Sequence, residues 1–121
     1  MAKQVLIVEN AREYRELLQE IVEGIGYQVH SAQKATEAWT LIQKEIISLI
    51  LLDIKMPGIH GHEFLRYIRK RGKRIPVIVV SGYLSPEVLE VLKAFEVSQV
   101  IVKPFKVMRL AREVNKVLEG D

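Results

Sequence analysis

Apolar residues along this chain follow two alternating patterns. Short continuous runs, Val5-Leu6-Ile7-Val8, Leu49-Ile50-Leu51-Leu52, Val77-Ile78-Val79-Val80 and Val100-Ile101-Val102, each stop at or just before a polar or charged residue. Runs of this length bounded by turn residues predict strands buried on both faces. A fifth segment, Tyr27 to Ala32, alternates weakly and is less apolar, which predicts a strand at the edge of the sheet. Between these runs the period changes to three and four residues, the mark of amphipathic helices. Tyr14, Leu17, Leu18, Ile21, Val22 and Ile25 form the first such stripe, starting from Ala11. Ala38, Leu41 and Ile42 lie on one side of Thr36 to Glu45, with Trp39 at the margin of that helix or exposed. Phe64, Leu65 and Ile68 follow Gly61, and Val88, Leu89, Val91, Leu92 and Phe95 follow the fourth strand. Leu110, Val114 and Leu118 complete the series.

The punctuation agrees with this division. Asn10 and Glu13 have the spacing of a helix-capping pair. Gly26 suits a left-handed cap after the first helix, and the third ends near Gly72. Ser85-Pro86-Glu87 combines a capping serine, a proline at the first helical position and an acid in the first turn. Strand then helix, five times over with short loops, predicts an α/β fold: a doubly wound five-stranded parallel sheet with helices on both faces. Right-handed crossovers leave few arrangements of it. No linker, repeat or low-complexity tract interrupts residues 1–121, so one domain is expected.

Composition narrows the class only a little. Of 121 residues, 49% are apolar and 27% charged, ordinary values for a soluble globular domain of the commonest size. With no cysteine, disulfides and thiolate metal sites are excluded. No apolar stretch reaches the length of a membrane span and the N-terminus has no apolar signal region. The expected setting is cytoplasmic, and the expected state a monomer or weak dimer. A net charge of +3 is too mild to demand a nucleic-acid partner.

The chemistry gathers at the strand ends. Four of the five strands finish in polar residues: Glu9-Asn10, Asp53, Ser81 and Lys103. Strands of one parallel sheet point the same way, so these side chains converge beyond the carboxyl edge, where open α/β sheets bind ligands. Two carboxylates, an amide, a hydroxyl and an ammonium suit a phosphoryl group. The carboxylates would hold a hard cation such as Mg²⁺. The hydroxyl and ammonium would bind phosphoryl oxygens. Asp53, at the end of a buried run and before Lys55-Met56-Pro57-Gly58, would be the nucleophile of an aspartyl phosphate.

The segments V-L-I-V-E-N, L-L-D-I-K-M-P-G-I-H-G, V-I-V-V-S-G and V-I-V-K-P-F resemble, in order and spacing, the receiver domain of two-component response regulators. The resemblance covers the whole chain. It implies a flavodoxin-like fold with strand order 2-1-3-4-5. It also implies phosphorylation of Asp53 by a histidine kinase or another phosphodonor. By the same resemblance, Ser81 hydrogen-bonds the phosphoryl group and Lys103 pairs with its charge. Glu9, Asn10, Asp53 and the backbone carbonyl of Lys55 would hold Mg²⁺, and the Lys103-Pro104 peptide bond would be cis. Output would pass to a downstream protein through the first helix and the fourth-helix to fifth-strand surface, because no room is left for an effector domain. Phosphoryl transfer would occur on the protein itself, so an enzyme with turnover is not expected.

Two positions depart from that pattern. Asn10 stands where receivers carry a second acid, which leaves Glu9, Asn10, Asp53 and Lys103 with a formal charge of about −1. Weaker Mg²⁺ binding and slower phosphorylation are expected. Val100 stands where receivers usually place a Tyr or Phe that swings inward on activation; Tyr83 is a candidate substitute. Both departures suit a rival reading, a phosphorylation-independent module that docks constitutively. A nucleotide- or flavin-binding protein of this topology is a third reading, opposed by the absence of a Gly-rich loop after the first strand.

Other polar groups read as structural. His60 and His62 lie in a glycine-flanked stretch with no further soft ligand nearby, and are expected to be solvated loop residues. Arg66, Arg69, Lys70, Arg71, Lys73 and Arg74 form a basic run at the end of the third helix, where cations suit the helix dipole. Without a helix-turn-helix or aromatic platform, DNA binding is not expected of them.

Overall fold

The computed structural model describes residues 2–120. Ten elements alternate: β1 (Gln4–Val8), α1 (Arg12–Gly24), β2 (Gln28–Ala32), α2 (Ala35–Lys44), β3 (Leu49–Leu52), α3 (Gly61–Lys70), β4 (Val77–Ser81), α4 (Pro86–Ala94), β5 (Gln99–Val102) and α5 (Val107–Glu119). All strand pairs are parallel, in the order β2-β1-β3-β4-β5. This is the expected doubly wound, flavodoxin-like arrangement.

Alternation along the strands divides the core into two halves, because successive side chains of a strand point to opposite faces. Leu6, Val8, Ile50, Leu52, Val77 and Val79 face α2, α3 and α4. Val5, Ile7, Leu49, Leu51, Ile78, Val80 and Ile101 face α1 and α5. The central strands β1, β3 and β4 are buried almost throughout, which is why their sequences read as continuous apolar runs. β2 is the edge strand its composition predicts.

Register sets the strand ends level with one another. Val8 pairs with Leu52, Leu52 with Val79, and Ser81 with Val102. The Asp53 amide donates to the Val8 carbonyl at 3.0 Å and the Lys103 amide to the Ser81 carbonyl at 3.0 Å. Glu9, Asp53, Ser81 and Lys103 therefore leave the sheet along one edge. The Lys103-Pro104 peptide bond is cis.

Three local expectations are corrected. Asn10 does not cap α1: the cap position is Ala11, with no side-chain cap, and Asn10 is exposed. The loop is held instead by Glu9, whose Oε2 accepts from the Ala11 amide at 3.0 Å, and by Arg15, whose guanidinium donates to the Glu9 and Asn10 carbonyls at 3.0 and 3.2 Å. His62 belongs to the first turn of α3 rather than to a loop, whereas His60 is exposed just before the helix, as expected. His60 is its cap position and its amide donates to Glu63 Oε1, whereas His62 lies half-buried in the first turn. Arg69 leaves the solvated basic run: it is buried, donating to the Phe95 carbonyl at 3.2 Å and the Lys73 carbonyl at 2.9 Å. It thereby ties the ends of α3 and α4, and burial lowers its guanidinium pKa. Arg71 lies 3.5 Å over the Tyr67 ring, and Trp39 is half-buried with an edge-to-face contact to the same ring.

Ser85 caps α4 as expected, its hydroxyl accepting from the Val88 amide at 3.2 Å, with Pro86 in the first turn. Gly26 and Gly72 follow their helices with φ of 100° and 79°, backbone open to glycine at little cost.

Candidate functional site

A cavity of about 490 Å³ opens at the carboxyl edge of the sheet, lined by Glu9, Asn10, Tyr14, Asp53, Lys55, Ser81, Tyr83 and Lys103 among others. Every residue expected at a common site from the strand-end argument lines it. The sequence achieves this with short means: β1, β3, β4 and β5 stop level, and each releases one polar side chain within a residue or so of its end.

Asp53 and Glu9 are both buried, 6% and 2% exposed. Lys103 bridges them, its ammonium 2.6 Å from Glu9 Oε1 and 3.4 Å from Asp53 Oδ2. Lys103 was expected to find its partner in Asp53; its tighter partner is Glu9. The remaining Asp53 oxygen, Oδ1, accepts from the Ile54 amide at 2.7 Å. Burial pushes the Glu9 carboxyl above the ordinary range, against the pull of Lys103 and the Ala11 amide and with added repulsion from Asp53. Two buried carboxylates sharing one ammonium leave surplus negative charge in the notch, which a cation entering the cavity would neutralise.

Ser81 is fully buried at the cavity wall. Its hydroxyl is occupied locally, accepting from the Tyr83 amide at 3.1 Å and lying 3.4 Å from the Tyr83 carbonyl. Tyr83 itself is 47% exposed, and the Lys55 ammonium stands 5.9 Å from its ring centre at the cavity mouth. Val100 is half-buried against the core on the α4 side, with no ring to rotate.

Gly61 fixes the loop that follows Asp53. A Cβ there would fall 1.9 Å from the Asp53 carbonyl oxygen and 2.9 Å from the Ile54 Cα. Its amide donates to the Ile54 carbonyl at 2.7 Å, so the first turn of α3 is pressed directly onto the backbone that carries Asp53.

The donor set fits a hard divalent cation. Among the described residues, no group of three or more His, Cys, Asp or Glu side chains is spaced to hold a metal. The cavity is lined by oxygen-bearing side chains, the carboxylates of Glu9 and Asp53 and the amide of Asn10, with Lys55 beside them. Asn10 is exposed at the rim of this cavity.

Sequence patterning missed two residues that shape this site. Tyr14, counted in the apolar stripe of α1, lies under the Lys103 ammonium at 4.1 Å from ring centre to Nζ. Arg15, one helical turn beyond the loop, clamps the loop's carbonyls. A cation one turn into a helix, next to an acidic strand end, was the available signal for the second.

A level row of an acid pair, a hydroxyl and a lysine at the carboxyl edge of a 2-1-3-4-5 sheet is the arrangement of an α/β signalling domain. The chain belongs to the response regulator receiver domain family, whose model matches residues 5–115. It is a receiver domain of two-component systems. It is 30% identical over 118 residues to sporulation initiation phosphotransferase F of Bacillus subtilis, covering 98% of this chain and 95% of that protein. It is 32% identical over 116 residues to Regulator of RpoS of Escherichia coli, covering 94% of this chain but 34% of that protein. The solved structure of a receiver domain protein from Methanospirillum hungatei superposes with a TM-score of 0.93 at 29% identity, over 99% of this chain and 96% of that one. Among the described residues, no helix is long and apolar enough to cross a membrane.

Proposed function

We propose that Asp53 is the phosphoacceptor and that residues 1–121 act as one phosphorylation-controlled receiver unit. The observation that carries this reading is the Lys103 ammonium held 2.6 and 3.4 Å from two buried carboxylates at the floor of an open cavity. An Asp53 carboxylate oxygen attacks the phosphorus of a phosphohistidine, on a sensor kinase or phosphotransfer protein. The P–N bond breaks, its electrons stay on the imidazole nitrogen, and a solvent proton neutralises the leaving ring. Lys103 shifts from Glu9 toward the incoming phosphoryl oxygens, and Ser81 gives up its Tyr83 contacts to donate to one of them. Glu9, Asn10, Asp53 and the Lys55 carbonyl would hold a Mg²⁺ ion, which would supply positive charge against the phosphoryl oxygens. The reaction modifies the protein once and does not turn over a substrate.

Output runs through protein contacts in a cytoplasmic setting. Leu89, Val102, Val107 and Met108 leave apolar surface on α4, β5 and α5, with Val102 and Met108 at 52% and 77% exposure. Exposed apolar side chains of this kind suit a protein partner better than nucleic acid. The relative described as a phosphotransferase supports a role in phosphoryl transfer.

Intact-mass measurement after incubation with acetyl phosphate and Mg²⁺ tests the reading. The expected result is one added phosphoryl group in the wild type and none in Asp53→Ala. An unmodified wild type, folded and with Mg²⁺ at saturation, sinks the reading in favour of constitutive docking.

A further inference from the structure

The Lys103 ammonium has a third neighbour besides the two carboxylates. The Tyr14 ring of α1 lies 4.1 Å from it, and the Phe105 ring packs against Tyr14 at 6.2 Å between centres with a 42° tilt. Phe105 follows the cis Lys103-Pro104 bond, so one short loop supplies both the cation and the outer ring. The Lys103 side chain is only 12% exposed, and the half-buried Tyr14 ring lines the same cavity beside it.

We propose that Tyr14 is a positioning residue for Lys103, held in that place by Phe105. The proposal rests on Lys103 serving the phosphoryl group at Asp53. A lysine side chain has a long flexible stem, and its ammonium here has two acceptors at unequal distance, 2.6 and 3.4 Å. Glu9 alone would hold it at its own carboxylate rather than at a phosphoryl group on Asp53. An aromatic face attracts a cation through its quadrupole and does so without a single preferred acceptor direction. The ammonium can therefore slide from Glu9 toward Asp53 across the ring while keeping that attraction and staying out of water. A leucine at position 14 would fill space but offer no such face. Asn10 sharpens the need: with one fewer acid in the notch, Lys103 has one fewer charged acceptor to hold it there.

The test compares Tyr14→Phe, Tyr14→Leu and Phe105→Leu in the full chain, with folding checked by thermal melts. The first readout is the proton shift of the Lys103 ε-methylene in unphosphorylated, Mg²⁺-free protein. It is expected upfield of ordinary lysines in wild type and Tyr14→Phe, and near the ordinary position in Tyr14→Leu, with Phe105→Leu between. The second is the rate of phosphorylation by acetyl phosphate: within about twofold of wild type for Tyr14→Phe, and about three- to tenfold slower for Tyr14→Leu. An ordinary Lys103 shift in the wild type overturns the proposal, and so does a folded Tyr14→Leu protein that is phosphorylated at the wild-type rate. If even the wild type takes no phosphoryl group, the phosphoacceptor reading has failed. The shift measurement then still decides whether Tyr14 holds Lys103. Should Tyr14→Leu fail to fold, the shift and rate of Phe105→Leu decide in its place, wild-type values in both counting against the proposal.

Discussion

Gly61→Ala is a one-carbon change placed where the β3–α3 loop meets the backbone of Asp53. The new methyl would sit 1.9 Å from the Asp53 carbonyl oxygen, 2.8 Å from its carbonyl carbon and 2.9 Å from the Ile54 Cα. All three are main-chain atoms, so no side chain can swing aside, and ordinary carbon–oxygen separation requires a shift on the order of 1 Å. That shift breaks the 2.7 Å bond from the Gly61 amide to the Ile54 carbonyl, a loss of about 1 kcal/mol. Overpacking in a buried, well-packed region adds about 1–3 kcal/mol. The expected destabilisation is about 3 kcal/mol. With a urea slope of about 1–3 kcal/mol/M for a domain of this size, the unfolding midpoint should fall by about 1–3 M. Urea unfolding followed by circular dichroism reads this directly. Gly24→Ala is the control, because nothing lies within 4 Å of its added methyl and it ends α1; it should leave the midpoint unchanged or raise it slightly. A Gly61→Ala protein with the wild-type midpoint would refute the claim that α3 is seated on the Asp53 backbone.

Three further outcomes are expected. Asn10→Asp restores an acid at the cavity mouth and should tighten Mg²⁺ binding by about tenfold or more, read by fluorescence or calorimetric titration; unchanged affinity would show that position 10 does not face the cation. The Tyr27 hydroxyl lies 2.8 Å from Asn115 Oδ1 and 2.8 Å from Glu119 Oε2, and burial, followed by that acid, pushes its pKa up to about 12. Because the folded value lies above the usual 10.0, the stability this phenol contributes is complete below pH 10 and is lost as pH rises toward 12. Absorbance titration at alkaline pH should show a late-titrating component that disappears in Tyr27→Phe, and a titration that this substitution leaves unchanged would contradict it. Arg69→Met strands the Phe95 and Lys73 carbonyls and should cost about 1–3 kcal/mol, whereas Lys70→Met, an exposed neighbour, should stay within about 0.5 kcal/mol of wild type.

The parts of this molecule that a sequence makes legible are those governed by period. Continuous apolar runs can be buried only on two faces, and three-four spacing can be buried only as a helix. The strand order then follows from the resemblance of four whole segments. The convergence of Glu9, Asp53, Ser81 and Lys103 was legible for the same reason, because parallel strands of similar length must end together. What escaped was lateral. Tyr14 reads as one more apolar position in the α1 stripe, and nothing in its spacing reveals that the ring turns its face to an ammonium from a strand nearly ninety positions on. Lys103 was assigned to Asp53 because both end strands, yet Glu9 reaches it more closely; one extra methylene decides a distance that no pattern encodes. Asn10 reads as a cap because caps are local, while the loop is held by the Glu9 carboxylate and by Arg15 one turn along. Arg69 read as solvent-facing because its neighbours are basic, although a helix turns each residue 100° from the last and this one falls on the α4 side.

The central claim is that the phosphoryl group goes to Asp53 and nowhere else. Reduction of the phosphorylated protein with borohydride, followed by peptide sequencing in a mass spectrometer, marks an aspartyl phosphate by converting that aspartate to homoserine. The account predicts homoserine at position 53 alone, dependent on both Mg²⁺ and the phosphodonor. Homoserine at another aspartate, or a stable phosphoryl group on His60 or His62 with Asp53 untouched, would contradict it.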